Sequence, residues 1–230
     1  MKIATVLFTY NRSVHTGKVL EALSKNEVLP QKLYIFQDGV KESTNLEEWE
    51  KVSRVIEAVD WCDVKLIIHK KNKGLADSIV EGLNYVFQEN DAVIVLEDDC
   101  VTHPQFMTFM NSALVKYKNE DSVYSVSGYA WPVEVEENGT DAYFTRRISS
   151  TGWGTWKDCW LEYERDYRIL GKIKKNDILN QSLHIWGQDL ESHLLGNVYG
   201  RCDSWAVFWA LKVIEKEGYC VSPYKSFFTK

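Results

Sequence analysis

The stretch Ala92-Val93-Ile94-Val95-Leu96-Glu97-Asp98-Asp99 runs five apolar residues straight into three carboxylates. An apolar run this short and unbroken predicts a strand buried on both faces, in the middle of a mostly parallel sheet. Three adjacent acids at the end of such a strand repel one another and lose solvation. A fold tolerates them where a cation sits close by, and a hard divalent metal bound to phosphate oxygens supplies one. Open α/β sheets bind their ligands outside the carboxyl ends of the strands, which is where these acids fall. The alternative is a solvated acidic turn.

The first 120 residues alternate strand and helix. Strands are predicted over 3–9, 33–36, 64–69 and 92–96. Helices are predicted over 14–24, 46–59 and 75–87, with another from Pro104 to residue 117 that carries the proline in its first turn. This alternation predicts an α/β fold with a doubly wound, mostly parallel sheet of the nucleotide-binding type. After a strand at 123–127 the pattern changes. Gly- and Trp-rich loops at 128–131 and 151–160 precede two helices, 176–195 and 204–217. No repeat or low-complexity linker divides the chain. It reads as one domain over 1–230, with a smaller lobe from residue 126 packed on the same sheet.

With 27 basic against 33 acidic residues, the net charge is −6, and no Lys/Arg stripe offsets it. That argues against a nucleic-acid polymer as partner. The clusters Lys70-Lys71-Asn72-Lys73 and 172–175 are small; one could face phosphate, and a solvated face suits the second. Five scattered cysteines without a C-x-x-C pattern indicate neither a zinc ribbon nor a redox pair, and fit reduced thiols in a cytoplasmic protein. The apolar opening meets Thr9-Tyr10-Asn11-Arg12 too soon for a signal peptide or a membrane span. Asn138-Gly139-Thr140 is a formal sequon that nothing ties to a secretory pathway. His69, His103, His184 and His193 lack metal-ligand spacing. Nine Trp and twelve Tyr, many of them after residue 129, suit sugar stacking as well as core filling.

Each early strand ends in polar groups that could line one crevice: Thr9, Asn11 and Arg12, then Asp38, then Lys73-Gly74, then Glu97-Asp98-Asp99. Neither a Walker A pattern nor G-x-G-x-x-G is present, which disfavours P-loop NTPases and dinucleotide-binding oxidoreductases. Side chains of the first two strand ends would hold a base and ribose, and a metal would hold a diphosphate. That is the layout of a nucleotide-sugar transferase.

Several motifs recur in a family-like order. Asn11-Arg12-Ser13 is followed by Phe36-Gln37-Asp38, by Lys73-Gly74-Leu75-Ala76, and by Val95-Leu96-Glu97-Asp98-Asp99 with Pro104-Gln105-Phe106. Thr151-Gly152-Trp153-Gly154-Thr155-Trp156, Cys202-Asp203-Ser204-Trp205 and Val221-Ser222-Pro223 come later. In this ordered set the chain resembles the GT-A glycosyltransferases, most closely the N-acetylglucosaminyltransferase I family and more loosely the family 2 enzymes.

The resemblance implies a GT-A fold, with residues 1–125 binding a nucleotide-sugar, UDP-linked, and residues 126–230 binding a glycan or glycolipid acceptor. It implies Asp99 as ligand to Mn²⁺ or Mg²⁺, with Glu97 and Asp98 supporting the metal and the ribose. Arg12 and Asp38 would contact the nucleoside, and Asp203 would be the base of an inverting displacement. It also implies a cytoplasmic enzyme of surface polysaccharide synthesis, with room for peripheral association at the inner face of the membrane.

Each residue has a plainer role open to it. Asp203 precedes a helix and could be only its N-cap. Asp189 is a competing base or a solvated helix position. Asp38 could shape a turn, Arg12 could form a surface ion pair, and Lys73 could meet phosphate or begin a helix. Trp153 and Trp156, beside two glycines, suit an acceptor-binding wall or a packed core. Rival readings of the whole are a sugar-nucleotide nucleotidyltransferase, which normally needs a glycine-rich basic loop where Tyr10-Asn11-Arg12-Ser13 stands, and a non-catalytic carbohydrate-binding module. The end at Lys230, soon after Val221-Ser222-Pro223-Tyr224, reads as abrupt. A shortened chain or a partly open metal and diphosphate site is the expectation there.

Overall fold

In the computed structural model, which describes residues 1–42, 45–132 and 139–228, the first half alternates as its hydrophobic pattern predicts. It comprises β1 (Ile3–Thr9), α1 (Ser13–Ser24), β2 (Lys32–Gln37), α2 (Leu46–Glu57), β3 (Asp63–Ile68), α3 (Leu75–Val86), β4 (Ala92–Glu97) and α4 (Phe106–Lys116). Then come β5 (Val123–Ser127), β6 (Ala142–Thr145), β7 (Trp153–Trp156), α5 (Lys157–Trp160) and α6 (Ile169–Lys174). The last elements are α7 (Asp177–Trp186), α8 (Leu190–Val198), α9 (Trp205–Glu215) and β8 (Tyr219–Pro223). Asn138 of the sequon lies outside the described residues.

All the strands join one sheet in the order β3-β2-β1-β4-β7-β5-β8-β6. β3, β2, β1 and β4 are parallel neighbours. β7 runs against both β4 and β5, β8 lies parallel to β5, and β6 closes the far edge antiparallel to β8. The chain leaves β1 toward β2 and β3, then returns to lay β4 on the other side of β1. This reversal opens a crevice at the carboxyl ends of β1, β2 and β4.

Burial on both faces explains the unbroken apolar runs. Val6, Phe8, Tyr34, Phe36, Val93 and Val95 pack on one face with residues of α3 and α9. The alternate residues Leu7, Leu33, Ile35, Ile94 and Leu96 pack on the other with α1, α2 and α4. Strands covered on both sides cannot show a polar face, so they read as continuous hydrophobic stretches.

The structure departs from the sequence-based reading at two places in the second half and at one before α4. Trp153–Trp156, expected in a loop, is the strand that links the parallel half to the rest of the sheet. The helix expected over 176–195 is broken: α7 ends at Trp186 and α8 starts at Leu190. A β-carbon at Gly187 would lie 2.5 Å from Leu190 Cδ1, so the glycine is what lets the chain turn there. Pro104 lies in the turn before α4 rather than in its first turn.

Part of the aromatic load is core: Trp153, Trp156, Trp160, Trp205 and Trp209 are buried, whereas Trp186, Tyr85, Tyr167 and Tyr199 are exposed. Trp153 stacks on Trp205 with ring centroids 4.8 Å apart, and Trp160 meets both Trp209 (5.4 Å) and Tyr163 (4.5 Å). The five cysteines are free thiols. Among the described residues no helix is long and apolar enough to cross a membrane.

Candidate active site

The crevice at the switch point has a volume of about 310 Å³. Its lining includes Thr9 to Arg12 from the exit of β1, Asp38 and Lys41 after β2, Asn72, Gly74 and Ser78 around the start of α3, and Glu97 and Asp98 from β4. The four strand ends singled out in the sequence therefore converge, though not every side chain does what its position suggested.

Asp38 is buried, and both of its oxygens are occupied by chain donors. Oδ1 accepts from the backbone N–H groups of Gly39 (2.8 Å) and Lys73 (2.9 Å). Oδ2 accepts from Asn72 Nδ2 and from the backbone N–H of Gly74, both at 2.9 Å. A carboxylate has about four lone-pair sites, and all are used here. Asp38 stays in the crevice lining and also ties the loop at 72–74, next to the start of α3, to the end of β2. Gly39 permits the approach, since a β-carbon there would come within 2.3 Å of the Lys71 carbonyl carbon.

Gly74 precedes α3 with φ 79°, and no side chain caps the helix. The free N–H groups of its first turn border the crevice and favour an anion. Ser78, one turn further on and 4% exposed, lines the same crevice with a hydroxyl that has no hydrogen-bond partner among the described residues. A polar ligand would satisfy it.

The acidic end of β4 divides its labour. Asp98 is buried and gripped by Arg12, whose Nε donates to Asp98 Oδ2 at 3.1 Å and whose Nη2 is hydrogen-bonded to Asp98 Oδ1. Burial raises the pKa of Asp98 and the guanidinium opposes that rise. Arg12 is thus an ion-pair partner of the triplet, and it also reaches to 3.5 Å from Asp99 Oδ2. Asp99 itself is 56% exposed. Among the described residues no group of three metal-ligating side chains exists. One open carboxylate fits a hard divalent ion that takes its remaining oxygens from phosphates and water.

Glu97 makes no ion pair or side-chain hydrogen bond among the described residues. Burial, with Asp99 and Asp98 adding to it, pushes its carboxyl up to about 7. Because the folded state holds this proton more tightly than the unfolded chain, the contribution of Glu97 to stability is complete below about pH 4.5 and is lost as pH rises through about 7. Glu97→Gln is expected to remove that loss. In metal-free protein, the melting temperature of the variant should climb relative to the parent between about pH 5 and pH 8. A difference that stays constant over that range contradicts a buried, unneutralised Glu97.

Asp203 is not a helix cap. Ser204 takes that position in α9, its hydroxyl accepting from Val207 N at 3.4 Å. Asp203 is 57% exposed and stands beside Gly74, which lines the crevice; a β-carbon on Gly74 would lie 3.6 Å from its Oδ2. Arg165 Nη1 is 3.7 Å from Asp203 Oδ1, while Arg165 Nη2 pairs with Asp77 Oδ1 at 2.8 Å. Asp189 sits at the start of α8 and pairs with Arg147 Nη2 at 2.7 Å.

Other expectations change. Lys73 turns its ammonium to Glu81 and contributes its backbone N–H to Asp38. The lysine that lines the crevice is Lys41, over the ring of Tyr10 at 5.7 Å, which nothing in the local sequence marks. Thr9 is buried, donating its hydroxyl to Phe36 O at 3.2 Å, and Asn11 is half-buried on the crevice wall. Trp153 (0% exposed) and Trp156 (7%) are core residues on opposite faces of the sheet, the latter donating Nε1 to Leu114 O at 3.1 Å. Neither presents a ring to solvent, which corrects the expected acceptor wall.

With this geometry in place, the family can be stated. Residues 5–187 match the model for glycosyl transferase family 2. The chain belongs to that family. Of the two likenesses carried by the motifs, the match bears out the looser one. No curated protein matches the chain. Among solved structures, this glycosyl transferase family 2 chain is similar to S. aureus TarS 1-349 in complex with UDP-GlcNAc, at 12% identity and TM-score 0.55, covering 99% of this chain and 57% of that one. TarS 1-349 alone gives 11% identity and TM-score 0.53, covering 99% and 59%. The mannosyltransferase PcManGT from Pyrobaculum calidifontis, in complex with GDP-Man and Mn²⁺, gives 13% identity, TM-score 0.46, and coverage of 68% and 45%. The TarS likeness establishes the GT-A fold. The chain spans less than two thirds of the length of each of these structures.

Proposed function

We propose that this chain is a metal-dependent, inverting glycosyltransferase. It moves a hexosyl or N-acetylhexosaminyl residue from a UDP-sugar to a glycan or glycolipid acceptor. One observation carries the reading: Asp98 and Gly74 line one crevice, and two exposed carboxylates lie next to them, Asp99 following Asp98 in the chain and Asp203 beside Gly74. Two exposed acids, each only loosely paired with an arginine (3.5 Å for Asp99, 3.7 Å for Asp203), match the two needs of the reaction, a ligand for the donor's counter-ion and a base for the acceptor.

Asp99 would hold a divalent ion, Mn²⁺ or Mg²⁺, which would supply charge neutralisation for the departing nucleoside diphosphate. Arg12 keeps Asp98 and the β4 end fixed beside it. Thr9, Asn11, Tyr10 and Lys41 form the wall for base and ribose, and the uncapped start of α3 with Ser78 faces the donor's polar groups. Asp203 accepts the proton of the acceptor hydroxyl as that oxygen attacks the anomeric carbon, opposite the leaving group. Arg165 holds Asp203 and Asp77 together and orients the base.

The choice of UDP is supported by the complex of TarS with UDP-GlcNAc. A cytoplasmic place in surface polysaccharide synthesis belongs to the same proposal. Titration with UDP, GDP and CDP, each with and without Mn²⁺, tests it. One nucleotide, UDP, is expected to bind and only with the metal; binding that ignores metal contradicts the donor-site assignment.

A further inference from the structure

A second crevice, of about 380 Å³, lies beside the first turn of α9, the helix that Asp203 immediately precedes. Tyr129 and Trp131 line it, half-buried, with ring centroids 5.6 Å apart and planes nearly perpendicular. Arg147 lines it too, its guanidinium 5.9 Å from the Trp131 ring. The hydroxyl-bearing residues Ser149, Ser150 and Thr151 and the imidazole of His193 complete the polar lining. Nothing in the donor-site geometry uses these groups.

The chemistry of this lining points to one class of ligand. Rings that are half-buried and amphipathic offer an apolar face to C–H bonds and leave polar edges free. A planar guanidinium beside serine and threonine hydroxyls offers donors and acceptors side by side, which is what vicinal hydroxyls need. The charge of Arg147 is already balanced by Asp189 at 2.7 Å, and His193 Nε2 lies 3.7 Å from the same carboxylate. The crevice therefore has little to offer a phosphate or carboxylate group, which would compete with Asp189 for Arg147. Its volume lies at the small end of the ~300–1,000 Å³ typical of ligand sites.

We infer that this second crevice binds an uncharged pyranose, the acceptor sugar whose hydroxyl is presented to Asp203, with Trp131 and Tyr129 as the stacking wall and Arg147, its charge balanced by Asp189, as a hydroxyl reader beside Ser149, Ser150 and Thr151. The acceptor role rests on the glycosyltransferase reading above. The binding of a neutral sugar does not, and it can be tested separately.

The test is saturation-transfer NMR with the methyl glycosides of glucose, galactose, mannose and N-acetylglucosamine, set beside glucose 6-phosphate and methyl glucuronide as charged probes. At least one neutral glycoside should show transfer with the parent protein. Trp131→Ala and Arg147→Ala should each weaken that binding about tenfold. Trp131→Phe, which keeps a ring, should retain it and so separates loss of stacking from loss of fold. Asp99→Ala should keep the glycoside signal while losing metal-dependent UDP. The inference is overturned if no neutral glycoside binds, if the charged probes bind better, or if binding survives both alanine variants. Failure here with metal-dependent UDP binding intact leaves the donor site standing. Glycoside binding without nucleotide binding sinks the donor assignment instead.

Discussion

Asp203→Asn is expected to lower sugar transfer by about 10²–10⁴-fold while leaving nucleotide binding and thermal stability close to those of the parent. The amide keeps the size and most of the polarity of the side chain but cannot take a proton at neutral pH. The geometry makes the experiment clean. Ser204 caps α9, and Asp203 makes a loose ion pair with Arg165 at 3.7 Å. An exposed, weakly paired acid contributes little to stability, typically within about 0.5 kcal/mol. A variant that melts early and still turns over would return Asp203 to a structural role. A variant that loses nucleotide affinity would move it to the donor.

Asp38→Ala is expected to act the other way, through structure. Removing this carboxylate strands the N–H groups of Gly39, Lys73 and Gly74 and leaves the Asn72 amide only its bond to Gly39 O. Leaving a buried hydrogen-bond donor unsatisfied costs about 1–3 kcal/mol. The denaturant midpoint should fall accordingly, with Asp38→Asn intermediate because its amide retains one acceptor oxygen and brings a donor against the remaining N–H groups. Nucleotide affinity should fall with it, since the loop at 72–74 adjoins the start of α3. A variant with parental stability and weakened nucleotide binding would point to the direct nucleoside contact that the sequence suggested.

The contrast between these two acids shows what could be read in advance. The parallel half was legible because its strands are covered on both faces, so that Ala92–Glu97 reads as a central strand whose acids emerge at the ligand end. The loop-tying role of Asp38 was not legible. It depends on a loop more than thirty residues away folding back over Gly39, and the Arg12–Asp98 pair spans 86 residues in the same way. Trp153 misled for a related reason. A Gly/Trp-rich tetrapeptide has the composition of a loop, and only its pairing with β4 and β5 buries it. Lys73 and Lys41 exchange places because a helix-start lysine is drawn along the helix to Glu81, while Lys41 is brought to the crevice by the turn after β2.

The central claim is that the acids at the end of β4 hold a nucleotide through a metal on Asp99. Calorimetric titration of UDP into the parent protein and into Asp99→Ala, each with and without Mn²⁺, tests it most directly. The account predicts binding by the parent in the presence of metal, weakened at least about tenfold without it, and no metal-dependent component in the variant. Equal UDP affinity in parent and variant, or affinity in the parent that is indifferent to Mn²⁺, would contradict it.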